Sequence, residues 1–147
     1  MIRLWDWFRA DDTIVSVRDL DIEGLRARGK RAILFDLDNT LEPGRPKVLH
    51  PTIQEFLKEL MSRGMRVGVL SNRRYLSDEE QQALRIEGIP MVFHAGKPRR
   101  CGYRKLLQLL GTTVEEAVFV GDRRITDVFG ARRMGMACIR VLQPLLS

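Results

Sequence analysis

Short apolar runs alternate along this chain with stretches of helical spacing. Ala32 to Phe35, Arg66 to Leu70, Pro90 to His94, Ala117 to Val120 and Met136 to Leu142 read as strands. Nearly continuous apolar runs of this length suit strands buried on both faces, as in a parallel sheet. Between them, Ile53, Phe56, Leu57, Leu60 and Met61 mark a helix that Pro51 opens at a favoured first position and Gly64 ends. Ser77-Asp-Glu-Glu80 has the capping-box form and predicts a helix to about Glu87. Further helices are predicted from Gly96-Lys97-Pro98 through Leu110 and over Ile125 to Met134. Upstream, Thr13 to Val17 reads as an extended segment, and Asp21 to Gly29 as a short helix with Asp21 as its cap. Leu4, Trp5 and Phe8 lie at helical spacing beside Trp7. They predict either a short helix docked on the domain or a contact with a membrane surface. The alternation as a whole predicts an α/β fold: a single three-layer, Rossmann-like domain with a central parallel sheet, right-handed crossovers and helices on both faces. Residues 1–30 form an N-terminal extension packing on it.

The polar residues that end these strands change the picture. After Phe35 the chain reads Asp36-Leu-Asp38-Asn-Thr40. Two carboxylates two residues apart project the same way if the extended path continues. They also stand at the carboxyl end of a buried strand, where α/β proteins place their sites. Such close like charges call for a cation between them, and Mg²⁺, a hard ion that prefers oxygen ligands, is the natural candidate. A polar turn built on Asp and Asn is the plainer reading of this stretch alone. The later strands, however, deliver Ser71-Asn72, Lys97 and Asp122/Asp127 in turn. In a parallel sheet these ends share one edge. Carboxylates, a hydroxyl and a lysine converging there are the parts that phosphoryl transfer needs.

Composition narrows the rest. At 147 residues, with 44% hydrophobic and 30% charged residues, the chain suits one soluble globular domain. No run is apolar enough to span a bilayer, and the start lacks the apolar core of a secretory signal. Cys101 and Cys138 are too few for a disulfide scaffold. The cytoplasm or the inner face of a membrane is the expected location. The net charge of +6 is uneven. Residues 1–50 carry nine basic and nine acidic side chains, whereas the remainder carries sixteen against ten. An anionic partner is therefore expected near the features of that second segment.

Over residues 30 to 142 the chain resembles the haloacid dehalogenase (HAD) superfamily of phosphatases. Asp36-Leu-Asp38-Asn-Thr40-Leu is similar to its first motif, Ser71 to the second and Lys97 to the third. Gly121-Asp122-Arg-Arg-Ile-Thr-Asp127 is similar to the fourth. The resemblance implies an aspartyl-phosphate mechanism. Asp36 would attack phosphorus. Asp38 would protonate the leaving group and then activate water. Ser71, with Asn72 and Thr40 in support, would hold phosphate oxygens. Lys97 would pair with Asp36 and the phosphate. Mg²⁺ would be bound by Asp36, Asp122 and the Asp38 carbonyl, with Asp127 supporting it. The segments between the motifs leave no room for a cap domain, so an open site for bulky substrates is expected. FRADDTIVSV before an LxxRG helix, SNRR and GDRRITDVFGARRMG resemble the YqeG family of subclass IIIA, with Ala10 where proline is expected. That group includes relatives of mitochondrial phosphatidylglycerophosphate phosphatases.

Three arginine pairs follow strand ends: Arg73-Arg74, Arg99-Arg100 and Arg123-Arg124. Solubilising charge is one reading. The other is a rim that recognises a second anionic group, since Arg suits bidentate phosphate recognition where Lys acts as a point charge. The expected partner is an anionic phosphorylated substrate, with phosphatidylglycerophosphate as the leading candidate and peripheral membrane contact as its corollary. Nucleotides, nucleic-acid ends, sugar phosphates and phosphoproteins are the alternatives. Stable nucleic-acid binding is not expected, because the few aromatic residues do not interleave with the basic ones. A receiver-like signalling module is the rival of a different class, but it has no use for Asp38. A cysteine phosphatase fails because Leu107 stands where C-x₅-R needs arginine. His50 and His94 show no zinc-ligand spacing.

Overall fold

The computed structural model describes residues 7–145. Six strands form one parallel sheet: β1 (Asp12–Ile14), β2 (Ala32–Phe35), β3 (Arg66–Leu70), β4 (Met91–Val92), β5 (Ala117–Gly121) and β6 (Ala137–Val141), in the order β1-β6-β5-β2-β3-β4. The helices are α1 (Ile22–Ala27), α2 (Pro51–Ser62), α3 (Asp78–Leu84), α4 (Arg100–Leu110) and α5 (Phe129–Met134). Side chains alternate across β2 and so build two cores. Ile33 and Phe35 pack with Leu25 of α1, Ile53 and Leu57 of α2 and Leu84 of α3. Ala32 and Leu34 face the other way, onto Tyr103 and Leu106 of α4 and Ala131 of α5. All four β2 residues are fully buried, which explains their unbroken apolar run.

β2 carries the point on which the topology turns. From it the chain steps outward through β3 and β4. It then returns by α4 to β5, on the opposite flank of β2. Phe35 is in register with Val69 of β3 and Val120 of β5, so Asp36, Ser71 and Asp122 leave the sheet on one edge, at the reversal of strand order. Residues 36–65 hold one helix, and so do residues 71–90. Among the described residues there is no cap domain over this edge.

The structure departs from the sequence expectations in four places. β1 extends the sheet by a sixth strand, paired with β6. Asp11 binds it further: its carboxylate accepts from the Cys138 N–H at 2.7 Å, and Arg132 lies 3.3 Å away. Second, α3 stops at Leu84 rather than near Glu87. Arg85 is extended and Ile86, which is buried, forms a bridge with Ile89. Third, β4 spans two residues instead of five, because His94 and Ala95 turn to donate to the Arg73 and Ser71 carbonyls. Fourth, the helix expected from Ile125 opens as a π-helical segment, Arg124–Val128, before α5 begins. Trp7 and Phe8 dock on the domain: the Phe8 ring stacks on Phe129 at 5.2 Å, and Trp7 meets it edge-on at 6.4 Å. Trp5 and Leu4 lie outside the described residues.

The π-helical segment is held from beneath by Tyr103. Its buried hydroxyl donates to the Thr126 carbonyl at 2.8 Å. Gly130 passes so close to that hydroxyl that a β-carbon there would overlap it. Gly130→Ala is therefore expected to destabilise the protein by about 1–3 kcal/mol through overpacking. In a Tyr103→Phe background, which removes the closest atom but keeps two ring carbons at 2.8 and 2.9 Å, the same change should cost less without becoming neutral. Chemical denaturation of the four proteins checks this, and additive losses would show that the hydroxyl is not what excludes a side chain.

Candidate active site

Each strand end places its side chain for a local reason. Past Phe35, the Asp36 N–H still bonds the Val120 carbonyl at 2.9 Å, so the strand path extends one residue further and turns Asp36 to the sheet edge. Asn39 then takes a left-handed conformation, with φ at 64°, and its side chain accepts the Gly44 N–H at 3.0 Å. This reverses the chain and returns Thr40 beneath Asp36. After β3, Asn72 faces the third motif. Its amide donates to the Lys97 carbonyl at 3.1 Å and accepts the Lys97 N–H at 2.8 Å, fixing the residue that carries the ammonium. At the end of β5, Gly121 leaves room for Asp127, whose carboxylate would lie 2.5 Å from a β-carbon at that position.

The centre is an ammonium between two carboxylates. Lys97 Nζ lies 2.7 Å from Asp36 Oδ1 and 2.7 Å from Asp127 Oδ1, and its side chain is 2% exposed. Asp127 is fully buried, and its other oxygen accepts the Arg123 N–H at 3.1 Å. Thr40 Oγ1 stands 3.2 Å from Asp36 Oδ2 and 3.4 Å from Asp122 Oδ1. Its single proton serves one of them at a time. Carboxylate oxygens of Asp36, Asp122 and Asp127 come within 4.8 Å of one another. Three carboxylates against one ammonium leave two negative charges, and the donors are all hard oxygens. That set fits a divalent cation of the Mg²⁺ type.

Asp38 is not part of this trio. It turns to Arg73, whose Nε lies 3.1 Å from each of its oxygens. Arg73 is consequently not a rim residue: it is 6% exposed and spent on this pair. The other five arginines of the pairs are exposed, and of them Arg123 lines the pocket, whereas Arg74, Arg99, Arg100 and Arg124 stand outside it. The pocket encloses about 270 Å³ and is bordered by Asp36, Asp38, Asn72, Arg73, Lys97 and Arg123, together with Asn39, Gly44, Arg45 and Thr126. Ser71 and Thr40 are buried behind its wall, and the Ser71 hydroxyl accepts the Arg73 N–H at 3.1 Å. Sequence reasoning missed Arg45. Its only signal was a basic residue in a Pro/Gly-rich loop directly after the first motif. Tyr103 was missed too, because an aromatic on the buried face of a helix looks like core.

Burial dominates the electrostatics. It pushes the Asp36 carboxyl up; Lys97 pulls it back, Asp122 adds to the rise, and the value settles at about 6 against an ordinary 3.8. Burial raises Asp127 as well, outweighing Lys97. For Lys97 burial acts downward but is overcome by Asp127 and Asp36, so the ammonium is held above its ordinary range.

A raised carboxyl has a definite sign in stability. With metal chelated, the proton on Asp36 favours the folded state below about pH 4, and this contribution is lost as pH rises through about 6. At pH 7.5 the ionised group then costs on the order of 2–3 kcal/mol, from about 1.4 kcal/mol per pKa unit. Asp36→Asn should melt higher than wild type in chelator at pH 7.5, and the gap should close toward pH 4. Equal melting at both pH values would mean that Lys97 fully compensates the buried charge.

Comparison with known proteins agrees with this geometry. Residues 42–135 match the haloacid dehalogenase-like hydrolase family. A protein of Bacillus subtilis (strain 168) named "Probable phosphatase YqeG" is 31% identical over 92% of this chain and 78% of its own length. The chloroplastic phosphatidylglycerophosphate phosphatase 1 of Chlamydomonas reinhardtii is 32% identical over 89% of this chain, which spans 51% of that protein. A predicted phosphoglycolate phosphatase of Haemophilus somnus 129pt shares the fold, with a TM-score of 0.60 at 16% identity, over 80% of this chain and 88% of the other. A switch point carrying the first-motif aspartates, a buried motif lysine and a relative of this closeness lead to one conclusion: the chain belongs to the haloacid dehalogenase-like hydrolase family, as a phosphatase.

Proposed function

We propose that the chain hydrolyses a phosphomonoester through an aspartyl-phosphate on Asp36. The observation that carries this reading is the setting of Asp36. It stands at the switch point, with one oxygen on the Lys97 ammonium and the other beside Thr40, and it faces a pocket that Asp38 also borders. In the first step an Asp36 oxygen bonds to phosphorus, the bond from phosphorus to the leaving oxygen breaks, and Asp38 gives that oxygen a proton. In the second, Asp38 takes a proton from water, the water oxygen bonds to phosphorus, and the bond to Asp36 breaks to release phosphate. Lys97 keeps Asp36 oriented and offsets charge on the phosphoryl oxygens. Asp36 and Asp122, backed by Asp127, would hold Mg²⁺, which would supply further positive charge at that group.

The substrate we favour is a lipid phosphomonoester of the phosphatidylglycerophosphate type. The name of the Chlamydomonas relative supports it, as does an edge that no cap domain covers among the described residues, open to a bulky leaving group. Arg45 and Arg123 border the pocket and four more exposed arginines lie beyond, suited to a second phosphate or an anionic lipid surface. Peripheral attachment at the inner face of a membrane follows from that reading. No helix among the described residues is long and apolar enough to cross one.

Asp36→Asn should abolish turnover of an aryl phosphate while the protein remains folded, and chelation by EDTA should stop wild-type turnover until Mg²⁺ is restored. Turnover by a folded Asp36→Asn protein would sink the nucleophile assignment; activity persisting in chelator would remove the metal. For the substrate, phosphate release from phosphatidylglycerophosphate in mixed micelles should exceed release from glycerol 3-phosphate by at least tenfold in kcat/KM. Equal rates would move the substrate to a small soluble phosphate.

A further inference from the structure

Arg73 is the least explained charged residue at this edge. Its side chain is 5% exposed. Nε sits 3.1 Å from both Asp38 oxygens, and Nη2 lies 2.9 Å from Asp38 Oδ1 without an acceptor in line with its N–H bonds. Nη1 donates to the Pro46 carbonyl at 2.5 Å. At the backbone, its N–H goes to the Ser71 hydroxyl and its carbonyl accepts from His94. The guanidinium thus stands between the second carboxylate of the first motif and the loop that carries Gly44 and Arg45 to the pocket. It is also a shared wall. One side borders the catalytic pocket, and the other borders a groove of about 260 Å³ formed with Val48, Leu76, Ala83 and Leu84.

We propose that Arg73 is the positioning residue for Asp38, and that it couples Asp38 to the seating of the Gly44–Pro46 loop. The proposal rests on the reading of Asp38 as the acid–base group. The Asp38 side chain is 25% exposed, so without a partner it would be free to sample several rotamers. The Arg73 Nε–H, shared between both oxygens in the plane of a guanidinium anchored at Pro46, selects one rotamer, which a freely rotating point charge does not do. A purely structural ion pair would need only to neutralise Arg73. The contact to Pro46 adds a tie across 27 residues, and Asn39 holds the same loop at Gly44. Loop and carboxylate therefore move together or not at all. A proton-delivering group held in advance contributes most where the leaving group is poor, because there the proton is needed in the transition state.

The test is steady-state kinetics of wild type, Arg73→Met, Arg73→Lys, Asp38→Asn and the Arg73→Met/Asp38→Asn double variant on an aryl and an alkyl phosphate, with melting temperatures for each. Arg73→Met should lose about tenfold or more in kcat/KM on the alkyl phosphate beyond its loss on the aryl one. The double variant should be no slower than Asp38→Asn alone, since the arginine acts through the carboxylate. Arg73→Lys should recover little, and added guanidinium should restore alkyl turnover to Arg73→Met. An equal loss on both substrates, or independent losses that multiply in the double variant, would overturn the proposal. If Asp38→Asn itself shows no leaving-group dependence, the acid–base reading fails instead, and the two failures are told apart. Should Arg73→Met not fold, Arg73→Lys carries the same comparison, because it keeps the charge and lacks the guanidinium contacts to Asp38 and Pro46.

Discussion

A buried ammonium held between two buried carboxylates sets the terms for the rest of the molecule. Lys97 reaches Asp36 and Asp127 at 2.7 Å each from a side chain that water scarcely touches. Taking three charges out of water costs several kcal/mol per ion unless each finds a partner. The members come from three segments: the loop after β2, the loop between β4 and α4, and the π-helical turn after β5. The arrangement exists only if the sheet has brought those ends to one edge. Conversely, the loops have little freedom once the charges meet. Removing Lys97 strands two buried carboxylates, whereas removing one carboxylate leaves the ammonium paired with the other, so the lysine is the member the trio can least spare. The trio still carries an excess of negative charge together with Asp122; this adds to the rise that burial gives Asp36, and it suits the edge to a cation and a phosphoryl group.

Around that unit the supports are arranged in layers. Thr40 holds Asp36 from below, the Asn72 amide fixes the Lys97 backbone, and Tyr103 braces the segment that carries Asp127. The π-helical turn there has a mechanical reading. An α-helix beginning at Arg124 would continue its regular ladder. The wider turn lets the Asp127 and Val128 N–H groups share the Arg123 carbonyl while the Asp127 carboxylate reaches back to the Arg123 N–H. Insertions of this kind are frequent at functional sites.

Most of the sheet was legible in the chain because parallel strands buried on both faces leave a strong mark. β2 and β3 are found at the residues their apolar runs delimit. The motif residues after β2, β3 and β5, and Lys97 before α4, follow from the same logic, since a parallel sheet gathers such ends whatever their separation along the chain. What was hidden depends on partners distant in sequence. Nothing near Arg73 says that it will turn inward to a carboxylate 35 residues earlier while Arg74 stays exposed. Nothing near Ile86 says that its burial will cut a capped helix short. β1 was read as a weak extended segment because its alternation is slight; its pairing with β6 is a backbone ladder extended by Asp11, whose partner, the Cys138 N–H, lies 127 residues away.

That last pairing bears on how the protein is made. Among the six described strands β1 is made first and its sheet partner, β6, last, and Asp11 finds the Cys138 N–H across 127 residues. Contacts of such separation form late, because a long loop must close before they are rewarded. As the chain leaves the ribosome, β2 to β5 with their loops can assemble the charged centre while the N-terminal segment still waits. The aromatic pair Trp7 and Phe8 waits with it, because their partner Phe129 is made more than 120 residues later. The edge next to β6 is thus closed by a segment made well before the strand it pairs with, a contact expected to form late in folding.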